Sequence, residues 1–237
     1  MTGSPPPGGG AEAIIARTRY LLLDFDGPVC DIFAGLTDRT VADRLRELIT
    51  GHGHTPPPGV AETPDPLAVF IYSATISAEL AAQVEAEMTG QELAAVPTAR
   101  PGPYVHDVVT SARESGRTIA VVSNNSQRAV RAYLHRHGLA DRIDLIAART
   151  SPDPALLKPS PHLVQQAIAR LAAISSECVL VGDSTTDIHA GADAGIATIG
   201  YANRAGKPGS LTAAGATAII TSLADLVLPL RAHPLPN

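Results

Sequence analysis

Two aspartates stand one residue apart at the end of an apolar run near the N-terminus. The stretch "YLLLDFDG" spans residues 20–27 and contains Asp24 and Asp26. Two carboxylates at this spacing can divide the work of one reaction, because one attacks an electrophile while the other transfers protons. The same pattern also serves as a simple turn cap at a strand end. The segment alone therefore leaves both readings open.

Three further motifs place polar residues directly after, or in the loop following, other apolar runs. They are "VVSNN", "LLKPSP" and "VLVGDSTTD". Their candidate residues are Ser123, Asn124, Lys158, Asp183 and Asp187. Each has an ordinary alternative role, since Ser and Asn often open loops, a lone Lys is often solvated, and Asp187 suits the first turn of a helix.

The elements that position these motifs follow from hydrophobic patterning. Continuous apolar runs without clean alternation predict parallel strands buried on both faces, namely "YLLLDF", "TIAVVS", "RIDLIAA", "CVLVGD", "IATIG" and "ATAII". Helical stripes alternate with them, and the third stripe is expected to begin at Ser160 as N-cap with Pro161 as its first residue. This alternation predicts an α/β fold with a doubly wound, mostly parallel, Rossmann-like sheet.

A long interruption of this rhythm predicts a second, smaller unit. Residues 31–103 contain "LTDRTVADRLRELI" and "ISAELAAQVEAEM", both with helical spacing, joined by a Pro/Gly-rich connector. Asp65 and Pro66 are expected to start another helix through "LAVFIYSA", a run that also fits a strand. We predict a flexible tail over 1–18, a catalytic core over 19–30 and 104–229, a small α-helical cap over 31–103, and a loose tail over 230–237.

The predicted topology brings the motifs to one place. In a parallel α/β sheet ligands bind beyond the carboxyl ends of the strands. Four aspartates would meet there, at positions 24, 26, 183 and 187, against one ammonium group from Lys158. Each like-charge pair costs ~4 kcal/mol at ~4 Å and an effective dielectric of ~20. A hard divalent cation relieves that repulsion, and all-oxygen ligation suits Mg²⁺, which readily takes phosphate oxygens as further ligands.

The motifs "DFDGPVCD", "SNN", "KPSP" and "GDSTTD", in this order, resemble those of the haloacid dehalogenase-like hydrolases. The resemblance spans about residues 20–200. It implies that Asp24 is the nucleophile and a metal ligand, and that Asp26 is the general acid/base with its backbone carbonyl on the metal. It further implies that Ser123 and Lys158 hold the phosphate, that Asp183 binds the metal and that Asp187 supports it. Asn124 is a further candidate for substrate binding, through the amides near it.

The insertion after the first motif stands where members of this family carry a helical cap that contributes to substrate specificity. With "KPSP", it resembles the phosphoglycolate phosphatase and β-phosphoglucomutase branch. Asp26 favours a phosphomonoester substrate, because the true dehalogenases of the family lack an aspartate there. We therefore expect a Mg²⁺-dependent phosphatase that works through an aspartyl-phosphate. A sugar phosphomutase is the alternative, and a non-catalytic phosphate- or partner-binding module is the second alternative.

Composition limits the partners. The net charge is -5 and no basic block is present, which disfavours nucleic acid and anionic membranes. No apolar run reaches the ~18 residues of a membrane helix, and "MTGSPPPGGG" does not resemble a secretory signal. We expect a cytoplasmic monomer or homodimer acting on a small phosphorylated metabolite. Arginine and lysine side chains that could reach a second anionic group of the substrate are Arg39, Arg44, Arg46, Arg204 and Lys207.

Overall fold

The computed structural model describes residues 9–236. Its strands are β1 (Tyr20–Leu23), β2 (Cys30–Asp31), β3 (Arg100–Pro101), β4 (Thr118–Ser126), β5 (Leu145–Arg149), β6 (Cys178–Gly182), β7 (Ala197–Tyr201) and β8 (Ala218–Ile220). Its helices are α1 (Gly9–Arg17), α2 (Asp38–Gly51), α3 (Pro58–Glu62), α4 (Pro66–Ile76), α5 (Ala78–Ala95), α6 (Val105–Glu114), α7 (Gln127–Arg136), α8 (His162–Arg170), α9 (Thr185–Asp193), α10 (Lys207–Ala213) and α11 (Ala224–Ala232).

Six strands form one parallel sheet in the order β5-β4-β1-β6-β7-β8. Each of the six apolar runs contributes one of them, so the prediction of a doubly wound α/β sheet is confirmed. β1 lies between β4 and β6, where the chain changes its winding direction. Such a switch point opens a crevice at the carboxyl ends of the central strands.

The sheet is buried on both faces, which explains why its strands are continuously apolar. Leu21 and Leu23 of β1 pack into one core cluster together with side chains of α1, α6, α7 and α11. Leu22, which points to the opposite face, belongs to a second cluster. That cluster continues into the inserted helices through residues such as Leu45 and Phe70. The inserted helices therefore share a core with the sheet.

Residues 31–103, called the cap segment below, contain α2 to α5. The ambiguous run "LAVFIYSA" lies in helix α4, and Asp65 caps it by accepting a hydrogen bond from the Leu67 amide at 2.9 Å. The short antiparallel strands β2 and β3 pair Cys30 with Pro101 and Asp31 with Arg100. The chain thus leaves and re-enters the sheet region through one two-stranded ribbon.

The two predicted tails are more ordered than the sequence suggested. Residues 9–17 form α1, in which Ile14 and Ile15 are buried, and α11 extends to Ala232. The buried guanidinium of Arg117 explains this, because it donates to the carbonyls of Ile15 at 2.9 Å, Thr18 at 2.9 Å and His233 at 2.9 Å. The prediction of a flexible tail was wrong for residues 9–17, and the prediction of a loose tail was wrong for residues 230–232, because both segments are helical. Residues 1–8 and 237 lie outside the described residues.

Helix α8 begins later than expected. Pro161 occupies the N-cap position without a side-chain capping bond, and the first helical residue is His162. Ser160 instead closes the preceding turn, since its amide donates to the carbonyl of Leu157 at 2.9 Å. The predicted N-cap at Ser160 was therefore wrong by one residue.

Candidate active site

The predicted site residues meet at the carboxyl ends of three neighbouring strands. Asp24 directly follows β1, Ser123 lies in β4, and Asp183 directly follows β6. A cavity of about 270 Å³ opens between these strand ends and the cap segment. Six of the seven predicted residues line it: Asp24, Asp26, Ser123, Asn124, Lys158 and Asp183. The seventh, Asp187, is fully buried and contacts Lys158 behind the cavity wall.

Lys158 is the electrostatic centre of this group. Its buried Nζ donates to Asp24 Oδ1 at 2.7 Å, to Asp187 Oδ1 at 2.5 Å and to the Val122 carbonyl at 3.1 Å. Burial by itself would lower the pKa of Lys158, but the negative charges of Asp187 and Asp24 outweigh burial and raise it. Lys158 is therefore held as a cation beside Asp24.

The Asp24 carboxylate is buried among other acids. Burial and the neighbouring charge of Asp187 raise its pKa well above the ordinary value, whereas Lys158 acts in the opposite direction. Its Oδ1 also accepts the Phe25 amide at 2.7 Å. The Lys158 ammonium group alone does not balance both Asp24 and Asp187, so a further positive charge would favour the ionised form of Asp24.

Asp26 lies on the same strand end but in a different environment. Its Oδ1 accepts the Ile32 amide at 3.1 Å, and burial raises its pKa to about 7. The Asp26 side chain lines the 270 Å³ cavity and also an adjoining cavity of about 450 Å³. A carboxyl group that retains a proton near neutral pH can donate it to a leaving group.

Three carboxylates form a set with the chemistry of a metal site. Asp24, Asp183 and Asp187 each offer one oxygen within 4.8 Å of the others. Oxygen donors of this kind fit a hard divalent cation such as Mg²⁺. The two oxygens of Asp187 already accept Lys158 and Ser184, and this carboxylate completes a capping box at the start of α9. Asp187 is thus better suited to hold Lys158 than to bind a cation directly.

Two glycines let the backbone approach these acids closely. Gly27 has a φ of 107°, and a Cβ built there would overlap the Asp183 carboxylate. A Cβ at Gly182 would overlap the Asp187 side chain. Any larger residue at either position would displace an acid of the cluster.

Ser123 and Asn124 differ in which side-chain hydrogen-bonding groups remain free to contact a ligand. The buried Ser123 hydroxyl accepts the Asn125 amide at 3.0 Å and can donate to a ligand or to Asn125 Oδ1, which lies at 3.1 Å. Asn124 spends both side-chain groups on the Lys158 backbone, accepting its amide at 2.8 Å and donating to its carbonyl at 3.0 Å. The Asn124 side chain therefore positions Lys158. The backbone amides near Asn124 remain as the groups that can donate hydrogen bonds to a bound anion.

Sequence reasoning missed a network of hydrogen bonds and ion pairs behind the end of β4. Glu92 of α5 accepts the Ser126 amide at 2.8 Å and the Arg149 Nη2 at 2.7 Å. Arg149 also donates through Nε to the Asn124 carbonyl at 3.0 Å. The only sequence signal was a basic residue that ends the apolar run of β5, which alone does not distinguish a buried ion pair from a solvated charge. Lys207, weighed only as a substrate contact, pairs instead with Asp183.

Comparison with known proteins decides the family. The model of the haloacid dehalogenase-like hydrolase family matches residues 68–201. The chain belongs to this family. The matched stretch includes Ser123, Lys158, Asp183 and Asp187, while Asp24 and Asp26 precede it.

Curated relatives carry phosphatase names. A phosphoglycolate phosphatase of Vibrio vulnificus is 30% identical over 128 residues, covering 53% of this chain and 54% of the relative. The pyrophosphatase PpaX of Halalkalibacterium halodurans is 33% identical over 106 residues, covering 43% of this chain and 48% of the relative. The matches to these two hydrolases thus span about half of their length.

Two solved structures share the fold along nearly the whole chain. CbbY from Rhodobacter sphaeroides, solved in complex with phosphate, has a TM-score of 0.66 at 19% identity and covers 90% of this chain and 99% of that one. A Bacteroides vulgatus protein, provisionally named a β-phosphoglucomutase, has a TM-score of 0.68 at 17% identity over 97% of this chain and 100% of that one. At these identities the likeness concerns the fold alone.

The two cysteines and the histidines at the end of α2 have no assigned part in this cluster, although Cys30 lines the 450 Å³ cavity together with Asp26. Burial raises the pKa of the Cys30 thiol, and both Cys30 and Cys178 are buried free thiols. His52 and His54 of the "GHGH" stretch are exposed at the end of α2. Within residues 9–236, no helix combines the length and the apolar character needed to cross a bilayer.

Proposed function

We propose that this hydrolase is a phosphatase that cleaves a small phosphomonoester through an aspartyl-phosphate formed on Asp24. The observation that carries the proposal is the position of Asp24 within one cavity, 2.7 Å from Lys158 Nζ and beside Asp183. An anionic nucleophile approaches an anionic phosphate only where positive charge neutralises both. The phosphatase names of the curated relatives support the same reaction class.

Each side chain has a role in the proposed reaction. An Asp24 oxygen forms a bond to phosphorus while the bond from phosphorus to the alcohol oxygen breaks, and Asp26 gives its proton to that oxygen. A water oxygen then forms a bond to phosphorus while the bond from phosphorus to the Asp24 oxygen breaks. Asp26 takes a proton from that water, inorganic phosphate leaves, and the Asp24 carboxylate is regenerated. Ser123 and the amides near Asn124 donate to phosphate oxygens, and Lys158 balances charge throughout.

We further propose that Mg²⁺ occupies the carboxylate set. Asp24, Asp183 and the backbone carbonyl of Asp26 would hold it, with Asp187 supporting through Lys158. A bound Mg²⁺ supplies positive charge that stabilises the phosphoryl oxygens during transfer. The all-oxygen donors and the excess of acid over base in the cluster support this assignment. We also infer that residues 31–103 act as a cap domain, since they form the cavity wall opposite the strand ends.

Trapping of the covalent intermediate tests the proposal. The protein is incubated with p-nitrophenyl phosphate and Mg²⁺, quenched in acid and reduced with borohydride, which converts an aspartyl-phosphate to homoserine. Peptide mass spectrometry is expected to find homoserine at position 24. Asp24→Asn is expected to lower kcat by at least ~10³, whereas Asp107→Asn, in the exposed first turn of α6, serves as the matched control.

Product analysis separates hydrolysis from phosphoryl return. A phosphatase releases inorganic phosphate in equal amount to the alcohol, whereas a phosphomutase converts one sugar phosphate into another without net release. Retention of most activity by Asp24→Asn, or the lack of any homoserine at position 24 during turnover, would show that the nucleophile is wrongly assigned.

A further inference from the structure

The 270 Å³ cavity is poor in positive charge where the leaving alcohol must lie. Of the described residues that line it, Lys158 alone is basic, and Asp24 and Asp187 already share its ammonium group. The reactive end of the cavity therefore has a cation, while the end under the cap segment has none. The charge of the leaving group must suit that second end.

The cap-segment side of the cavity is apolar and acidic. Phe33, Leu67 and Met88 supply apolar surface, and Asp38 and Asp65 supply carboxylates. A third carboxylate, Glu92, is offset by its ion pair with the buried Arg149. Asp38 and Asp65 have no ion-pair partner within 4 Å among the described residues.

The arginines of helix α2 do not correct this balance. The buried Arg46 side chain donates to the carbonyls of Val60 at 3.1 Å and Thr63 at 2.8 Å, and it pairs with Asp43. Arg39 and Arg44 are exposed and lie outside the cavity lining. The expectation that these cap residues could reach a second anionic group therefore has no support in the cavity.

Two basic residues line the adjoining 450 Å³ cavity instead. Lys207 is paired with Asp183, and Arg204 is exposed. Burial raises the pKa of the Asp38 carboxyl group, and the positive charge of Arg204 opposes that rise. Neither basic residue lines the 270 Å³ cavity, although Asp26, Asp38 and Asp183 line both cavities. Among the described residues, these two are the basic side chains that line this adjoining cavity, and Arg204 is therefore the residue to substitute if an anionic leaving group is preferred.

From this charge distribution we propose that the substrate's alcohol portion carries no second anionic group, and that a small alcohol bearing an ammonium group suits the cavity best. The proposal rests on the phosphatase function proposed above. It separates this chain from the compounds in its relatives' names, because phosphoglycolate and pyrophosphate each carry a second anionic group. Asp38 and Asp65 would attract the ammonium group of such a substrate and would repel a carboxylate in the same place. These two effects would together discriminate between a cationic and an anionic alcohol portion.

A matched series of small phosphate esters tests the proposal. Phosphoethanolamine, n-propyl phosphate and phosphoglycolate carry a cationic, an uncharged and an anionic group at similar size. Each is assayed with Mg²⁺ for phosphate release and for inhibition of p-nitrophenyl phosphate hydrolysis, so that poor substrates also yield a Ki. Phosphoethanolamine is expected to exceed phosphoglycolate about tenfold in kcat/KM or 1/Ki, with n-propyl phosphate between them, because each exposed charge contact contributes a factor of roughly two to five.

Substitutions of Asp38 and Asp65 test whether these two carboxylates cause the preference among the esters. Asp65→Asn retains the ability to cap α4, and Asp38→Asn leaves Thr37 as the N-cap of α2. The double variant is expected to bring the ratio of phosphoethanolamine to phosphoglycolate close to one. Glu47→Gln, on the exposed face of α2, removes the same type of charge away from the cavity and is expected to keep the wild-type ratio.

Three results would overturn the proposal. The first is a phosphoglycolate value equal to or above that of n-propyl phosphate. If Arg204→Gln then removes that preference, the adjoining cavity recognises an anion. The second is a ratio of phosphoethanolamine to phosphoglycolate that is the same in the Asp38→Asn, Asp65→Asn double variant as in Glu47→Gln. The third is release of phosphate from none of the esters, p-nitrophenyl phosphate included, which would overturn the phosphatase function itself and thereby be distinguished from the first two.

Discussion

Arg149 and Glu92 form a buried ion pair, with Arg149 Nη2 2.7 Å from Glu92 Oε1. The pair joins the end of β5 to helix α5 of the cap segment. Glu92 also accepts the Ser126 amide, and Arg149 also holds the Asn124 carbonyl. The end of β4, which carries the candidate phosphate-binding groups, is therefore fixed from both the sheet and the cap segment.

Replacement of Arg149 should damage both stability and activity. Arg149→Met leaves Glu92 buried without a counter-ion, and loss of one partner of a buried pair costs about 3–5 kcal/mol. We expect a lower free energy of unfolding in urea and a lower kcat/KM, since Asn124 positions Lys158. Glu85→Gln, which removes the more exposed partner of Arg149, is the matched control and should have the smaller effect. A stable Arg149→Met variant with normal kinetics would contradict this coupling.

If Asp26 is the proton donor, the loss of kcat in Asp26→Ala should depend on how much the leaving group needs protonation. Asp26→Ala removes the proton donor, and general acid catalysis typically contributes 10²–10⁴-fold. The loss in kcat should fall in this range for alkyl phosphates and be much smaller for p-nitrophenyl phosphate, whose leaving group needs no protonation. Steady-state rates with both esters check this. Equal losses for the two esters would remove the acid role of Asp26.

Removal of divalent metal should abolish turnover. The three carboxylates of Asp24, Asp183 and Asp187 face two ammonium groups, the buried Lys158 and the more exposed Lys207, so the reacting phosphate would add charge to a set that is already in acidic excess. Treatment with EDTA is expected to silence phosphate release, and Mg²⁺ added in excess is expected to restore it. Titration calorimetry of the apo protein with Mg²⁺ should detect binding that Asp183→Asn weakens. Full activity in the presence of the chelator would count against the metal assignment.

Gly27→Ala should weaken metal binding although no charged residue is replaced. A Cβ at this position would overlap the Asp183 carboxylate, and the φ of 107° adds backbone strain. We expect a weaker Mg²⁺ affinity by calorimetry and a lower kcat/KM. Gly53→Ala, at a similarly positive φ but with open space around it, is the control for strain alone. Identical Mg²⁺ affinities for the two variants would show that Asp183 is not displaced.

Arg117 should be the main anchor of the chain termini. Its guanidinium donates to carbonyls of both terminal segments, at Ile15 and His233. Hydrogen bonds from charged groups contribute ~1.5–3 kcal/mol each, so Arg117→Met is expected to lower the free energy of unfolding by about 3 kcal/mol. It should also expose α1 to trypsin in limited proteolysis. Unchanged stability and an unchanged digestion pattern would contradict the anchoring role.

The sequence by itself determined the sheet and the positions of the polar groups along it. The apolar runs could be buried only as two-faced strands, and their alternation with helices left a doubly wound sheet as the simplest fold. Because parallel strands place their carboxyl ends at one edge, Asp24, Ser123 and Asp183 had to lie near one another. The ambiguity of "LAVFIYSA" remained, since a short and mostly apolar run has no period to distinguish helix from strand.

The tertiary structure decided the relations that depend on distance and burial. The pairing of Lys158 with Asp187, the Arg149–Glu92 link and the contacts of Arg117 join residues far apart in sequence, and no local pattern specifies such partners. The tertiary structure also decided the charge of the cavity. Helix α2 carries arginines in the sequence, but among the described residues the unpaired charged side chains that the cap segment contributes to the cavity lining are Asp38 and Asp65. Which face of a helix meets the cavity is set by packing of the whole cap segment against the sheet, and a linear sequence does not display that packing.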